Sequence, residues 1–229
     1  MLQEFINNLN PYTAKGMQIY QALFETIEML IIPGFFAVIL GGALGLLLYV
    51  LRPDQQFGAK NKFLYSILDS VVNIGRSIPF IILMIAILPL TRLLIGKTIG
   101  TIAACVPLTI TAIPFMARIV EHACLNVGTG VIEAALSMGA TTKQILFHVV
   151  LPESRVNIIN GIGLMLVTLV GYSAMAGTLA GGGLGALAFN YGYQRFDNNI
   201  ILITVVLIIL LVHIIQFISN KIAASFSRV

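Results

Sequence analysis

EAALSMGATTKQILFHVVLP, residues 133–152, is a polar, punctuated interruption in a chain otherwise built from long apolar segments. It carries Glu133, Thr141, Thr142, Lys143 and His148 among small residues. Local signals predict two short helices. Thr129 is suited to capping the first, over Thr129 to Met138. Gly139 is suited to ending it, since glycine enters the left-handed region without a Cβ clash. Thr141 and Gln144 have capping-box spacing, which opens the second helix. Ile145, Leu146, Val149 and Val150 give that helix an apolar side. Pro152 disfavours helix at Leu151 and is expected to stop the element. The segment 129–152 therefore reads as a helix–turn–helix. Its corner of small residues, Ala134, Ala135, Gly139 and Ala140, lets another protein's surface approach the backbone. By local physics alone, an amphipathic loop lying at a membrane interface fits the same residues.

The surroundings set the compartment. The 229-residue chain is 58% hydrophobic and 10% charged, with a mean hydropathy of +0.98. A soluble domain carries about a quarter charged residues, so water is not the solvent for most of this surface. Cys105 and Cys124 give neither a disulfide framework nor metal-ligand spacing. Residues 1–28 include Asn7, Asn8, Asn10, Glu25 and Glu28 and do not read as a cleavable signal. A bilayer core takes roughly 20 apolar helical residues per crossing. Five spans are expected: Met29 to Leu51, Phe63 to Leu90, Ile99 to Ala117, Ile158 to Leu179 and Asn198 to Asn220. Gly41, Gly42 and Gly45 suit close helix contact in the first, and Pro107 and Pro114 are expected to kink the third. GGGLG at Gly181 to Gly185 marks a turn into a non-spanning return piece. With the N-terminus outside, the inner segments hold eight basic residues: Arg52, Lys60, Lys62, Arg118, Lys143, Arg155, Lys221 and Arg228. The outer segments hold four: Lys15, Arg92, Lys97 and Arg195. Basic residues favour the cytoplasmic side, which puts residues 133–152 and the C-terminus there.

Glu133, Ala134, Ala135, Gly139, Val149, Leu151 and Pro152 stand at the spacing of the EAA loop, and the chain resembles ABC importer permeases on that ground. VNIGRSIPFIIL (72–83), VPLTITAIPFMARIVE (106–121), LVGYSAMAG (169–177) and GGGLGALAFNYGY (181–193) are similar to the methionine-importer permeases. The one departure is Val149, where isoleucine is usual. The resemblance implies an all-α, polytopic type I importer permease fold. It divides the chain into an outer-side N-terminal segment (1–28) and a permease domain (29–229). It implies that Glu133, Ala134, Ala135, Gly139, Ala140, Leu151 and Pro152 couple to a groove of a cytoplasmic ATPase. Two ATPase subunits, a second copy of this chain and an extracytoplasmic methionine-binding protein are the implied partners, in a bacterial cytoplasmic membrane. ATP and Mg²⁺ are implied on the ATPase, with no catalytic, cofactor or metal site on this chain; no GxxxxGK[ST] loop occurs in it. Nothing points to nucleic acid.

Other polar residues are candidates for the pathway. Arg76 and Asp69 are predicted on one helix face, with Arg76 lining the inner end of the pathway, ordering the loop beside the ATPase, or snorkelling to headgroups. GYSAMAG, residues 171–177, thins the fourth span to small residues and leaves Tyr172, Ser173 and Met175 as pathway or gate candidates. Methionine suits a plug because it adapts its shape. His213 fits a packing histidine better than a proton relay. An importer of the same type for another polar amino acid is the alternative. An ATPase-independent secondary transporter fits less well, since it calls for titratable residues near the midplane; the first, third and fourth predicted spans offer none and the fifth only His213.

Overall fold

The computed structural model describes residues 13–226, apart from 56, 59 and 60. Residues 1–12 of the expected outer segment, and Lys60 and Arg228 of the basic count, lie outside the described residues. Every regular element described is helical.

The first helix starts well before Met29. Thr13 Oγ1 accepts the Gly16 N–H at 3.0 Å, a hydroxyl cap that opens α1, Ala14–Phe36. A π-helical turn, Ala37–Gly41, leads into α2, Gly42–Leu51, without a break. Polar residues such as Gln21 and Glu25 thus belong to the helix and not to a separate tail.

The expected second span is broken. Asn61 caps α3, Lys62–Ser77, by accepting the Leu64 N–H. Ile78 and Pro79 are then extended, with ψ of 124° and 133°. Pro79 has no N–H to give a helix and its ring disfavours helical backbone at Ile78. Two short helices follow, α4, Phe80–Ala86, and α5, Leu88–Ile95, which ends at Gly96.

α6, Thr101–Leu125, includes Pro107 and Pro114 and continues past Ala117 to take in Arg118 and Glu121. Next come α7, Thr129–Ser137, and α8, Thr142–Gln144. A π-helical turn, Ile145–Val150, joins α8 to α9, Leu151–Ala176, so Pro152 does not stop the element. The Leu151 N–H bonds back five residues, to the Leu146 carbonyl. This wider turn displaces the carbonyl that an α-turn would press against the proline ring. After a π-helical turn at Gly177–Gly181 the chain reverses at Gly182 into α10, Gly183–Leu187, as the glycine cluster suggested. α11, Asn198–Phe226, closes the described chain.

Four helical stretches are long and apolar enough to cross a membrane, and five if α3 and α4 make one broken span. α11 shows why lipid must be the solvent: its most apolar window is only 17% buried. A bilayer covers such a face. His213 Nδ1 lies 2.9 Å from the Ile209 carbonyl of the same helix. The protein is an all-α multi-pass membrane protein.

The chain forms two compact units. Of the described residues, one unit comprises 13–35, 79–110 and 166–215; Ile19, Ala22, Leu184, Leu187, Ile200 and Ile203 form a core in it. The other comprises the described residues of 36–78, 111–165 and 216–226 and packs Leu48 and Val72 on Ala117. There α2 and the turn before it approach α6 closely. A Cβ at Gly41 would stand 2.6 Å from the Ile113 carbonyl, and one at Gly45 would meet that of Ala117, whereas Gly42 faces open space.

Candidate coupling and pathway site

The loop between α6 and α9 is built as two mutually braced helices. α7 has Gly128 at its cap position with no side-chain bond, so Thr129 is its first residue and not its cap. Its C-terminal end matches the expectation. Gly139 adopts φ 78°, the Ala140 N–H reaches the Ala135 carbonyl at 3.1 Å, and the Gly139 N–H reaches Leu136 at 2.9 Å. This pair of bonds is the Schellman closure. Thr141 and Gln144 exchange capping bonds as the spacing predicted.

Burial then sorts the loop's residues into two faces. Ile132 and Ala135 of α7 are buried, as are Ile145, Leu146 and Val150 of the following turn. Ala135 therefore supports the loop from inside, which corrects its place in the approach surface. Glu133, Ala134 and Gly139 are exposed, as is Pro152; Ala140 and Leu151 are half-buried. Nothing lies within 4 Å of where a Gly139 Cβ would stand. Val131, Ala134 and Met138 stand at i, i+3 and i+7, one stripe of α7. Val131 is 48% and Met138 81% exposed, and Phe147 adds a further bare apolar side chain. An exposed apolar stripe at this spacing is how a helix presents itself to a groove on another protein.

Above the loop, α6 carries an ion cluster that sequence reading missed. Glu121 is fully buried. Its carboxylate meets Arg118 at 2.6 Å and Arg52 at 3.7 Å, and accepts the Tyr65 hydroxyl at 3.1 Å. Arg118 reaches Asp69 at 2.7 Å and the Asn73 side-chain oxygen at 2.8 Å. Removing one partner of such a buried pair costs about 3–5 kcal/mol. The one legible signal was an Arg–Glu pair at i, i+3 in an apolar helix. Asp69 thus serves Arg118, not Arg76. Arg76 is exposed in the last turn of α3, where a cation suits the helix dipole.

The pathway candidates separate in the other unit. Met175 is 43% exposed on α9 and shares a face with exposed Gly171, beside which lies open space. Tyr172 stacks on Phe80, ring centroids 4.9 Å apart and planes within 9°. Ser173 is buried and its hydroxyl donates to the Val170 carbonyl at 2.8 Å. It is packed inside the fold, unlike Met175 on the same helix.

The reversal after α9 is held by α1. Glu25 Oε2 accepts the Gly183 N–H at 2.7 Å and Thr26 Oγ1 accepts the Leu184 N–H at 2.8 Å. Gln21 donates to the other Glu25 oxygen at 3.0 Å. Gly182 and Gly183 have φ of 86° and 76°, and a Cβ on Gly182 would stand 2.7 Å from Glu25 Oε2. Only glycine gives both the backbone sign and the room.

A family model for the inner membrane component of binding-protein-dependent transport systems matches residues 57–228. The chain is 51% identical over 199 residues to the probable D-methionine transport system permease protein MetI of Vibrio cholerae, across 87% of this chain and 88% of that protein. It is 46% identical over 204 residues to the protein of the same name from Pasteurella multocida, across 89% and 93%. A chain of the MetNI methionine ABC transporter, solved in inward-facing conformations, superposes with a TM-score of 0.89 at 43% identity, covering 93% of this chain and 97% of that one.

Proposed function

The chain belongs to the inner membrane components of binding-protein-dependent transport systems, and on that premise we propose that it is the permease subunit of an ATP-driven methionine importer. The observation that carries this reading is the bare stripe of Val131, Ala134 and Met138 on a loop whose opposite face is packed. Among the described residues these side chains are left bare, so a partner groove is their natural solvent. Two cytoplasmic ATPase subunits supply that groove in this reading, and ATP with its Mg²⁺ is held and hydrolysed there. Glu133 and the other polar residues flanking the stripe orient the contact, while Gly139 leaves room for the partner's backbone. The N-terminus is outside and the loop inside, in keeping with the basic-residue bias. A second copy of this chain pairs across the Gly171–Met175 face to enclose the pathway, and an outer binding protein delivers methionine. Support for that substrate comes from relatives that bear the name at about half identity over most of their length.

The chain and its ATPase, purified together and reconstituted, are expected to take up D- or L-methionine with ATP and binding protein present. Other amino acids should not compete. Uptake of a different amino acid in preference would replace the substrate assignment. Consistent absence of an ATPase from the purified protein would overturn the importer reading itself.

A further inference from the structure

We propose that Glu121 is a positioning residue that makes α3 move with the coupling loop. The inference rests on the importer reading for what the movement achieves. The geometry lies within one unit of the structure.

The loop hangs from the end of α6 by a short, hydrogen-bonded connection. The Asn126 N–H reaches His122, Val127 reaches Cys124, and Val131 reaches back to Gly128. A displacement of α7 therefore acts on the last turn of α6, and Glu121 lies in the turn just before Leu125. From there the carboxylate grips α3. Tyr65, Asp69 and Asn73 recur every four residues along one α3 face, and all three bond to Glu121 or to its partner Arg118. Arg52, beyond α2, closes the clamp from a third segment.

The rest of α3's hold is a narrow apolar stripe, Val72 with half-buried Leu68 and Tyr65, packed on Leu48 and Ala117. Of its 16 residues only Val72 is buried. These apolar contacts resist separation more than they resist sliding or rotation, because dispersion has no direction. Charged, hydrogen-bonded partners on three successive turns set both. Stability alone does not explain a buried carboxylate between two arginines, since apolar residues of similar volume generally serve as well. Fixed register is the best-attested use of such groups.

The test uses the complex of this chain with its ATPase in proteoliposomes. Glu121→Gln keeps the shape and removes the charge. The ATPase should still co-purify and hydrolyse ATP, while methionine carried per ATP falls roughly 2- to 30-fold, the range of coupling changes seen for residues outside both sites. Glu121→Asp, which restores the charge, should recover part of the ratio. Spin labels at Ser70 on α3 and Asn126 below α6 should give one sharp distance in the wild type and a broadened one in Glu121→Gln. A normal transport ratio with an equally sharp distance overturns the proposal. So does a parallel fall of hydrolysis and uptake with the distance unchanged, which marks a structural role only. Should Glu121→Gln fail to assemble, Tyr65→Phe removes a single bond to the same carboxylate, and the same two readouts decide. If the wild-type chain brings down no ATPase, the importer reading fails, and the spin-label distance in the chain alone still tests the clamp.

Discussion

Replacing Gly139 in turn by alanine, asparagine and tryptophan separates the backbone demand of the coupling loop from the space its partner needs. Gly139 sits at φ 78°, where an ordinary side chain costs about 1–2 kcal/mol. Alanine should thus bias the loop away from its closed form by roughly 5- to 30-fold, and add almost no bulk. Asparagine tolerates the left-handed region and should keep the loop closed. Tryptophan carries the backbone cost too, yet among the described residues nothing beyond its own chain neighbours stands within 4 Å of its Cβ. Its bulk is expected to tell chiefly when a partner arrives. Overpacking that contact costs about 1–3 kcal/mol, a further loss of roughly 5- to 150-fold in affinity. The assay is titration of purified ATPase subunit onto the detergent-solubilised chain, with circular dichroism to show that the helices persist. The expected order of affinity is wild type, asparagine, alanine, tryptophan. If tryptophan binds the ATPase as tightly as glycine does, the exposed corner is not the docking surface and the reasoning fails.

Gly183→Ala should lower the melting temperature, because its Cβ would stand 2.6 Å from Met29 Cε and 2.7 Å from Thr26 Oγ1 at φ 76°. Gly42→Ala, facing open space, is the control, and equal melting of the two variants would refute the account of the reversal. Met175→Ala should assemble with the ATPase but hydrolyse ATP with less dependence on the binding protein. Met175→Cys should crosslink between copies in at least one nucleotide state, since a disulfide requires Cα atoms within about 7 Å. Normal coupling in the first with no crosslink in the second would leave Met175 a packing residue. In a background without Cys105 and Cys124, Asn190→Cys should react with an impermeant reagent from outside, and Lys143→Cys only after permeabilisation; the reverse pattern would invert the topology.

The features legible in the sequence are those whose physics is local or additive. Mean hydropathy and uncharged run length identify a membrane protein, because the cost of a charge in lipid is summed residue by residue. The capping bonds of Thr141 with Gln144 and the left-handed Gly139 involve partners within a turn, and the reading anticipated both. Even local rules gave way where backbone geometry had a second solution. Pro152 should end a helix, but a π-helical turn lets α9 begin without a break. Pro79 had the opposite outcome and split the second span, with Ile78 and Pro79 both extended. The face that Ala135 or Ser173 presents depends on what packs behind it, and composition is silent on that. Long-range polar partners were least visible. Glu25 looked like part of a polar tail until the fold brought it to Gly183, 158 residues away. Glu121 acquires its role from Tyr65, 56 positions off, and from Arg52 across another helix. A side chain's own identity says that it needs a partner when buried, but only the folded chain decides which one it meets, because that pairing is set by the packing of helices distant in sequence.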